Sequence, residues 1–139
     1  MKGLPVIFFK TFIISIIVAI AVNCIYYAIV MRSAAVNYGQ VVPLIIERTF
    51  VLNIIIAIMS LPMLFLYHVN YWNSIAGRLL LYFSGPVLFL IAIFYVGISP
   101  TSKAADLLTG LVYLIVNSIF YYRLTRKNKQ ASNSYRTRK

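Results

Sequence analysis

Long apolar runs separated by short polar segments dominate the chain. Four such runs cover residues 11–31, 49–67, 79–96 and 103–122. A hydrocarbon layer about 30 Å thick requires roughly 20 apolar residues of helix, so each run is a candidate transmembrane helix. The pattern therefore predicts an all-α integral membrane protein, built as a small antiparallel bundle of four transmembrane helices.

The ends of these runs divide the chain into two regions. We predict a transmembrane domain over residues 1–123, followed by a basic, disordered tail over 124–139, because that tail is polar and carries many charges. The fourth helix has an alternative, earlier start, since Ser99 followed by Pro100 is typical of an N-cap and the first turn of a helix. Pro62 and Pro86 are expected to bend the second and third helices, because each removes one backbone donor.

Composition supports lipid as the solvent of this chain. Hydrophobic residues make up 62% of it and charged residues 11%, whereas soluble domains contain about 25% charged residues. A soluble domain of 139 residues has too little interior to cover so much apolar surface. The single Cys24 excludes an internal disulfide framework.

The distribution of basic residues predicts an orientation. Ten of them lie at the two termini or between the second and third runs, and three lie in the other two loops. Because cytoplasmic segments carry the excess of Lys and Arg, both termini are predicted to be cytoplasmic, in a multi-pass protein of a bacterial inner membrane. The two carboxylates, Glu47 and Asp106, then fall at the outer face.

Two segments resemble each other: KTFIISIIVAI at 10–20 and RTFVLNIIIAI at 48–58. They are either copies, which would form an inverted pair as in transporters, or a chance match within a limited residue alphabet. Both carry small or weakly polar residues at intervals of three or four, which places these residues on one helix face. The residues are Thr11, Ser15, Ala19 and Asn23 in the first run, and Thr49, Asn53, Ala57 and Ser60 in the second. We interpret these faces as packing stripes that let helices approach closely in lipid.

Further polar residues fall at comparable depths in the other runs. The candidate interior set comprises Ser15, Asn23, Asn53, Ser60, Ser84 and Asn117, and the candidate outer rim comprises Arg32, Glu47, Arg48 and Asp106. The interior set either bonds helix to helix or lines a polar cavity that opens between the rim residues. The sequence leaves both interpretations open.

The residues needed for catalysis or metal binding are sparse. We place no ionisable residue at the centre of a span, which disfavours a proton-coupled exporter. His68 has no second His or Cys as a partner, and Glu47 with Arg48, or Lys103 with Asp106, are expected to be weak outer-surface ion pairs. We therefore predict a non-enzymatic protein without a cofactor or metal.

A cluster of basic residues follows the last span. Arg123, Arg126, Lys127 and Lys129 are expected to contact anionic lipid, to which each basic residue near the surface contributes about 1 kcal/mol. Nucleic acid is a less favoured partner, because the basic segment directly follows a membrane helix.

These features lead to two functional hypotheses. In its general plan the chain resembles small accessory, assembly or immunity-type membrane proteins, which act through helix contacts with themselves or with a larger membrane protein. The alternative is a small oligomeric transporter or channel with a polar path to the outer face.

Overall fold

The computed structural model describes the backbone of residues 4–32, 37–67, 74–96 and 99–136, and the side chains of these residues up to Arg126 except those of Tyr38 and Tyr67. Four α-helices fill most of these ranges: α1 (Leu4–Val30), α2 (Tyr38–Met59), α3 (Ile75–Tyr95) and α4 (Pro100–Arg136). A 3-10 helix, η1, covers Leu61–Tyr67. All four α-helices are long and apolar enough to cross a membrane, which confirms the predicted all-helical protein with four candidate spans.

Side-chain caps mark the starts of three helices. The side-chain oxygens of Asn37, Ser74 and Ser99 accept backbone N–H groups at the starts of α2, α3 and α4, at 3.2, 3.2 and 3.4 Å. Each cap satisfies one of the backbone donors that a helix start leaves free. The helix α4 begins at Pro100, so the earlier of its two predicted starts is observed.

The second helix differs from its prediction at both ends. It begins at Tyr38 rather than near residue 49, and its α-helical part ends at Met59 rather than near residue 67. Pro62 has no N–H to donate to the carbonyl four residues earlier, so the α-helical bonding pattern stops there. The chain continues in the tighter pattern of η1, in which Met63 N–H donates to Ser60 O at 3.0 Å.

The basic segment after the fourth span is also different. Residues 124–136, predicted to be disordered, continue α4 without a break to Arg136. The segment contains neither Gly nor Pro, and Lys, Arg, Gln and Ala are good helix formers. The high charge of the segment indicated disorder. Because no Gly or Pro interrupts it, the helix that begins at Pro100 continues through it.

The bundle has an apolar outside and a partly polar inside. Helix α1 packs mainly against α4 and α2, while α3 packs against α4 and η1. Large apolar side chains such as Phe9, Ile29, Leu80 and Phe94 are exposed by 63 to 69%. The buried polar residues are Thr11, Ser15, Asn23, Thr49, Asn53, Ser60, Asp106, Thr109 and Asn117. This arrangement suits an apolar solvent.

One glycine permits a close contact between two elements. A Cβ added to Gly85 on α3 would lie 2.6 Å from both the backbone N and the Cα of Ser60. Because these are main-chain atoms, any larger residue at position 85 would push α3 away from the junction between α2 and η1.

Candidate functional site

Buried polar side chains form one interior face on three helices. On α1, Thr11, Ser15, Ala19 and Asn23 are all buried, as expected for a stripe with a four-residue interval. On α2, Thr49 and Asn53 are buried, as is Ser60 at the C-cap of this helix, whereas Ala57 is only half-buried. On α4, the face formed by Asp106, Gly110, Tyr113 and Asn117 is buried.

Asn23 joins three helices. Its Nδ2 donates to Thr49 Oγ1 on α2 at 3.0 Å and to Thr109 Oγ1 on α4 at 2.8 Å. The amide of α1 is thereby placed between two hydroxyl groups that belong to different helices. Thr109 was not selected from the sequence, although it follows Asp106 by three residues and so shares its helix face. That spacing was the signal that could have found it.

A bidentate ion pair lies one turn from this junction. Arg48 Nε donates to Asp106 Oδ1 at 2.9 Å, and Arg48 Nη2 donates to Asp106 Oδ2 at 2.7 Å. The Asp106 side chain is 3% exposed and that of Arg48 is 40% exposed. The two parallel hydrogen bonds fix the orientation of the guanidinium as well as its distance.

This pairing corrects the expected surface ion pairs. Arg48 pairs with Asp106 and not with Glu47, while Lys103 Nζ donates to the backbone carbonyl of Phe94 at 2.9 Å. Asp106 turns inward because α4 presents it on the same face as Thr109, toward the neighbouring helices. The pair that forms is therefore between two helices and half-buried.

The position of Arg48 within its helix is a second correction. The helix α2 begins at Tyr38 and its apolar candidate span covers Gly39–Met59, so Arg48 lies inside this helix and not at its start. The sequence prediction began the helix at the charge itself, whereas α2 extends ten residues further toward its N-terminus. An ionisable residue inside a candidate span indicates a functional site by default.

The remaining rim residues are not part of this cluster. Arg32 and Glu47 are both exposed, and among the described residues neither forms an ion pair. The structure thus brings together only Arg48 and Asp106 of the four predicted rim residues.

Near the other end of the bundle, Asn117 binds a backbone carbonyl rather than side chains. Its Nδ2 donates to the backbone carbonyl of Tyr82 at 3.0 Å. Pro86, four residues after Tyr82, has no N–H to offer this carbonyl. Asn117 of α4 therefore replaces the hydrogen bond that proline removes from α3, which itself remains one continuous helix.

Two serines of the predicted interior set bond locally. Ser60 Oγ donates to Ile56 O of its own helix at 2.7 Å. Ser84 is only half-buried, and its Oγ lies 3.4 Å from Leu81 O, at the limit of a hydrogen bond. Ser84 therefore contributes little to the interior face.

Four buried polar atoms on α1 and α2 have no hydrogen-bond partner among the described residues. They are Thr11 Oγ1, Ser15 Oγ, Asn23 Oδ1 and Asn53 Oδ1. The Nδ2 of Asn53 is bound to Thr49 O of its own helix at 2.8 Å, which fixes the orientation of that amide. Its Oδ1 is a buried acceptor without a donor among the described residues.

The basic residues after the fourth span are only partly described. Arg123 and Arg126 are exposed, while the side chains of Lys127 and Lys129, like His68, lie outside the described residues. Within the described part of the chain, no three or more His, Cys, Asp or Glu residues cluster as metal ligands would. No family model, curated protein or solved structure matches the chain.

Proposed function

We propose that this chain is a four-span protein of a bacterial inner membrane, with both termini in the cytoplasm, that acts without catalysis through helix contacts. In this proposal it is an accessory, assembly or immunity-type protein, and its partner is a larger membrane protein or a second copy. The single observation that carries the proposal is the direction of its polar groups. Asn23, Arg48 and Asp106 bond between helices inside the bundle, which leaves an apolar outer surface for contact.

The outer surface offers a specific place for such a contact. An apolar groove of about 260 Å³ lies between α1 and the second helix, lined by Phe8, Phe9, Phe12, Ile54, Ala57, Ile58 and Leu61. Because lipid is as apolar as leucine, helix association in a membrane depends on close packing rather than on hydrophobicity. A groove with small Ala57 among its lining residues supports a helix as the occupant.

The orientation rests on charge. The ten basic residues on the predicted cytoplasmic side outnumber the three on the other side, and Arg123 and Arg126 are exposed there for contact with anionic lipid. Reporter fusions at the C-terminus and between α3 and α4 test this orientation. A C-terminal reporter that is active only on the outer side of the membrane would refute it.

Affinity purification from native membranes, followed by mass spectrometry, tests the contact function. We expect a stoichiometric membrane partner or a homo-oligomer with the wild-type chain. Ala57→Phe should abolish its capture by filling the groove. Ile91→Phe, at an exposed position on α3, is the matched control and should retain it. Recovery of only a monomer from both the wild-type chain and the Ile91→Phe control would contradict the proposal.

A transporter or channel is the second candidate, and one observation favours it. The buried oxygens of Thr11, Ser15, Asn23 and Asn53, which have no partner in the described ranges, are spaced along the interior face, as the lining of a polar path would be. In proteoliposomes a transporter should lose solute flux on Asn53→Leu, whereas a packing protein should show no flux before or after the change.

A further inference from the structure

Within the described part of the chain, Arg48 uses one edge of its guanidinium. Asp106 binds the edge formed by Nε and Nη2, although a guanidinium carries five N–H donors. The donors of Nη1 and the second hydrogen of Nη2 have no acceptor among the described residues, and the side chain is 40% exposed. This second edge is available to a ligand.

The surroundings of the second edge are apolar. Leu44, Val51 and Ile55, which share the helix face of Arg48, are exposed by 64%, 47% and 41%. The guanidinium thus opens onto the outer surface of the bundle among aliphatic side chains. If the protein spans a membrane as proposed above, the group that meets this edge belongs to a lipid.

The level of Arg48 along the bundle identifies which part of the lipid meets the free edge of its guanidinium. Helix α1 has 27 residues, about 40 Å at 1.5 Å per residue, and exceeds a hydrocarbon layer of about 30 Å by about 5 Å at each end. Asn23 precedes Val30 by seven residues, which places its amide about 5 Å below the hydrocarbon boundary.

The ion pair lies slightly higher than Asn23. Thr109 contacts Asn23, and Asp106 is one turn nearer the start of α4, about 5 Å toward the same end of the bundle. The direction is fixed by a second contact at that end, in which the Tyr26 hydroxyl donates to Thr101 O at 3.3 Å. The guanidinium therefore reaches the boundary where lipid headgroups begin.

From this placement we infer that the free edge of Arg48 binds the phosphate of a phospholipid headgroup, at the end of the bundle where α1 ends. A planar guanidinium matches two phosphate oxygens as it matches two carboxylate oxygens. Asp106 holds the group in place and the phosphate completes its hydrogen bonds. This site is separate from Arg123 and Arg126, which lie at the other end of the bundle.

The test measures lipid binding to purified, delipidated protein in a nonionic detergent. The probes are a short-chain phosphatidylglycerol, a diacylglycerol of the same chain length and inorganic phosphate, and the readouts are lipid adducts in native mass spectrometry and the shift of the thermal transition. We expect phosphatidylglycerol to bind with an affinity at least fivefold higher than that of either other probe. It should also raise the temperature of the thermal transition more than either of them.

The matched variant is Arg48→Leu combined with Asp106→Leu, which removes the guanidinium without leaving a buried carboxylate unpaired. Its affinity for phosphatidylglycerol should fall at least fivefold, whereas Arg123→Gln should change affinity less than twofold. Equal binding of the diacylglycerol, equal stabilisation by inorganic phosphate, or unchanged affinity in the double variant would each overturn the inference.

The outcome is independent of the tests of the proposed function. Reporter fusions establish the four spans without reference to Arg48, and partner capture depends on the groove at Ala57. A confirmed topology with unchanged lipid affinity would refute the phosphate site alone, and a wrong topology would refute both.

Discussion

Two buried asparagines near opposite ends of the bundle solve different problems. Asn23 binds the hydroxyls of Thr49 and Thr109, so side chains from three helices meet there. Asn117 binds the main-chain carbonyl of Tyr82, which Pro86 deprives of its helical partner. At the first site, side chains form hydrogen bonds between helices. At the second site, a side chain of α4 supplies the hydrogen bond that Pro86 removes from α3. The same residue type therefore has different consequences when it is removed.

The Asn23 end also carries the ion pair, and breaking this pair should have the largest effect. Arg48→Leu leaves the Asp106 carboxylate, 3% exposed, without its partner. We expect the free energy of unfolding to fall by about 3 kcal/mol, the lower end for buried pairs, because Arg48 is partly exposed. Titration with SDS in mixed micelles would measure the change.

A double variant separates the loss of the ion pair from the cost of leaving a buried carboxylate unpaired. Arg48→Leu with Asp106→Leu should recover most of the lost stability, since replacing both charges by apolar groups is often neutral. If the double variant is as unstable as the single one, the unpaired carboxylate is not the cause.

The Asn117 end depends on close packing at Gly85, which should give the second largest effect. Gly85→Ala places a Cβ 2.6 Å from the Ser60 backbone, and we expect a cost of about 1 to 3 kcal/mol from overpacking. In Gly110→Ala the nearest atom is Leu90 Cδ2 at 2.7 Å, a terminal methyl that can move. The same SDS titration should therefore show a smaller loss for Gly110→Ala, and equal losses would contradict this explanation.

The repair of α3 by Asn117 can be tested with a double-mutant cycle. Asn117→Leu should cost about 0.6 to 2 kcal/mol, the range for a hydrogen bond between helices in lipid. In a Pro86→Ala background the restored N–H binds Tyr82 O, so the cost of Asn117→Leu should fall by about 1 kcal/mol. Additive effects in the four unfolding curves would show that Asn117 does not substitute for the missing donor.

The smallest effect is expected at Ser84. Its hydroxyl makes a single contact of 3.4 Å within its own helix, and Ser84→Ala should change the free energy of unfolding by less than about 0.5 kcal/mol. A loss as large as that of Asn117→Leu would mean that Ser84 belongs to the interior face after all.

The sequence predicted the helices better than their ends. Apolar length located all four candidate spans, and Ser99 with Pro100 marked the start of α4, because these signals act locally. The start of α2 was missed because the boundary was drawn at Arg48, and a charge does not end a helix when a carboxylate from another helix pairs with it. The tail was misjudged for the converse reason, since high charge does not break a helix that contains neither Gly nor Pro.

The candidate site was predicted as a set of residues but not as a set of contacts. Periodicity placed Thr11, Ser15 and Asn23 on one helix face, and comparable depth added Asn117 to the interior set. It could not show that Arg48 would choose Asp106 over its neighbour Glu47, because that choice depends on which face of α4 turns toward α2.

The sequence by itself determined the apolar character of this protein and the number of its candidate spans, since apolar length and composition are properties of the chain alone. Only the tertiary structure decided which polar groups meet, because hydrogen bonds between helices depend on rotation and relative height that no single helix encodes. The half-buried Arg48, whose hydrogen bonds among the described residues all go to Asp106, depends on that tertiary arrangement.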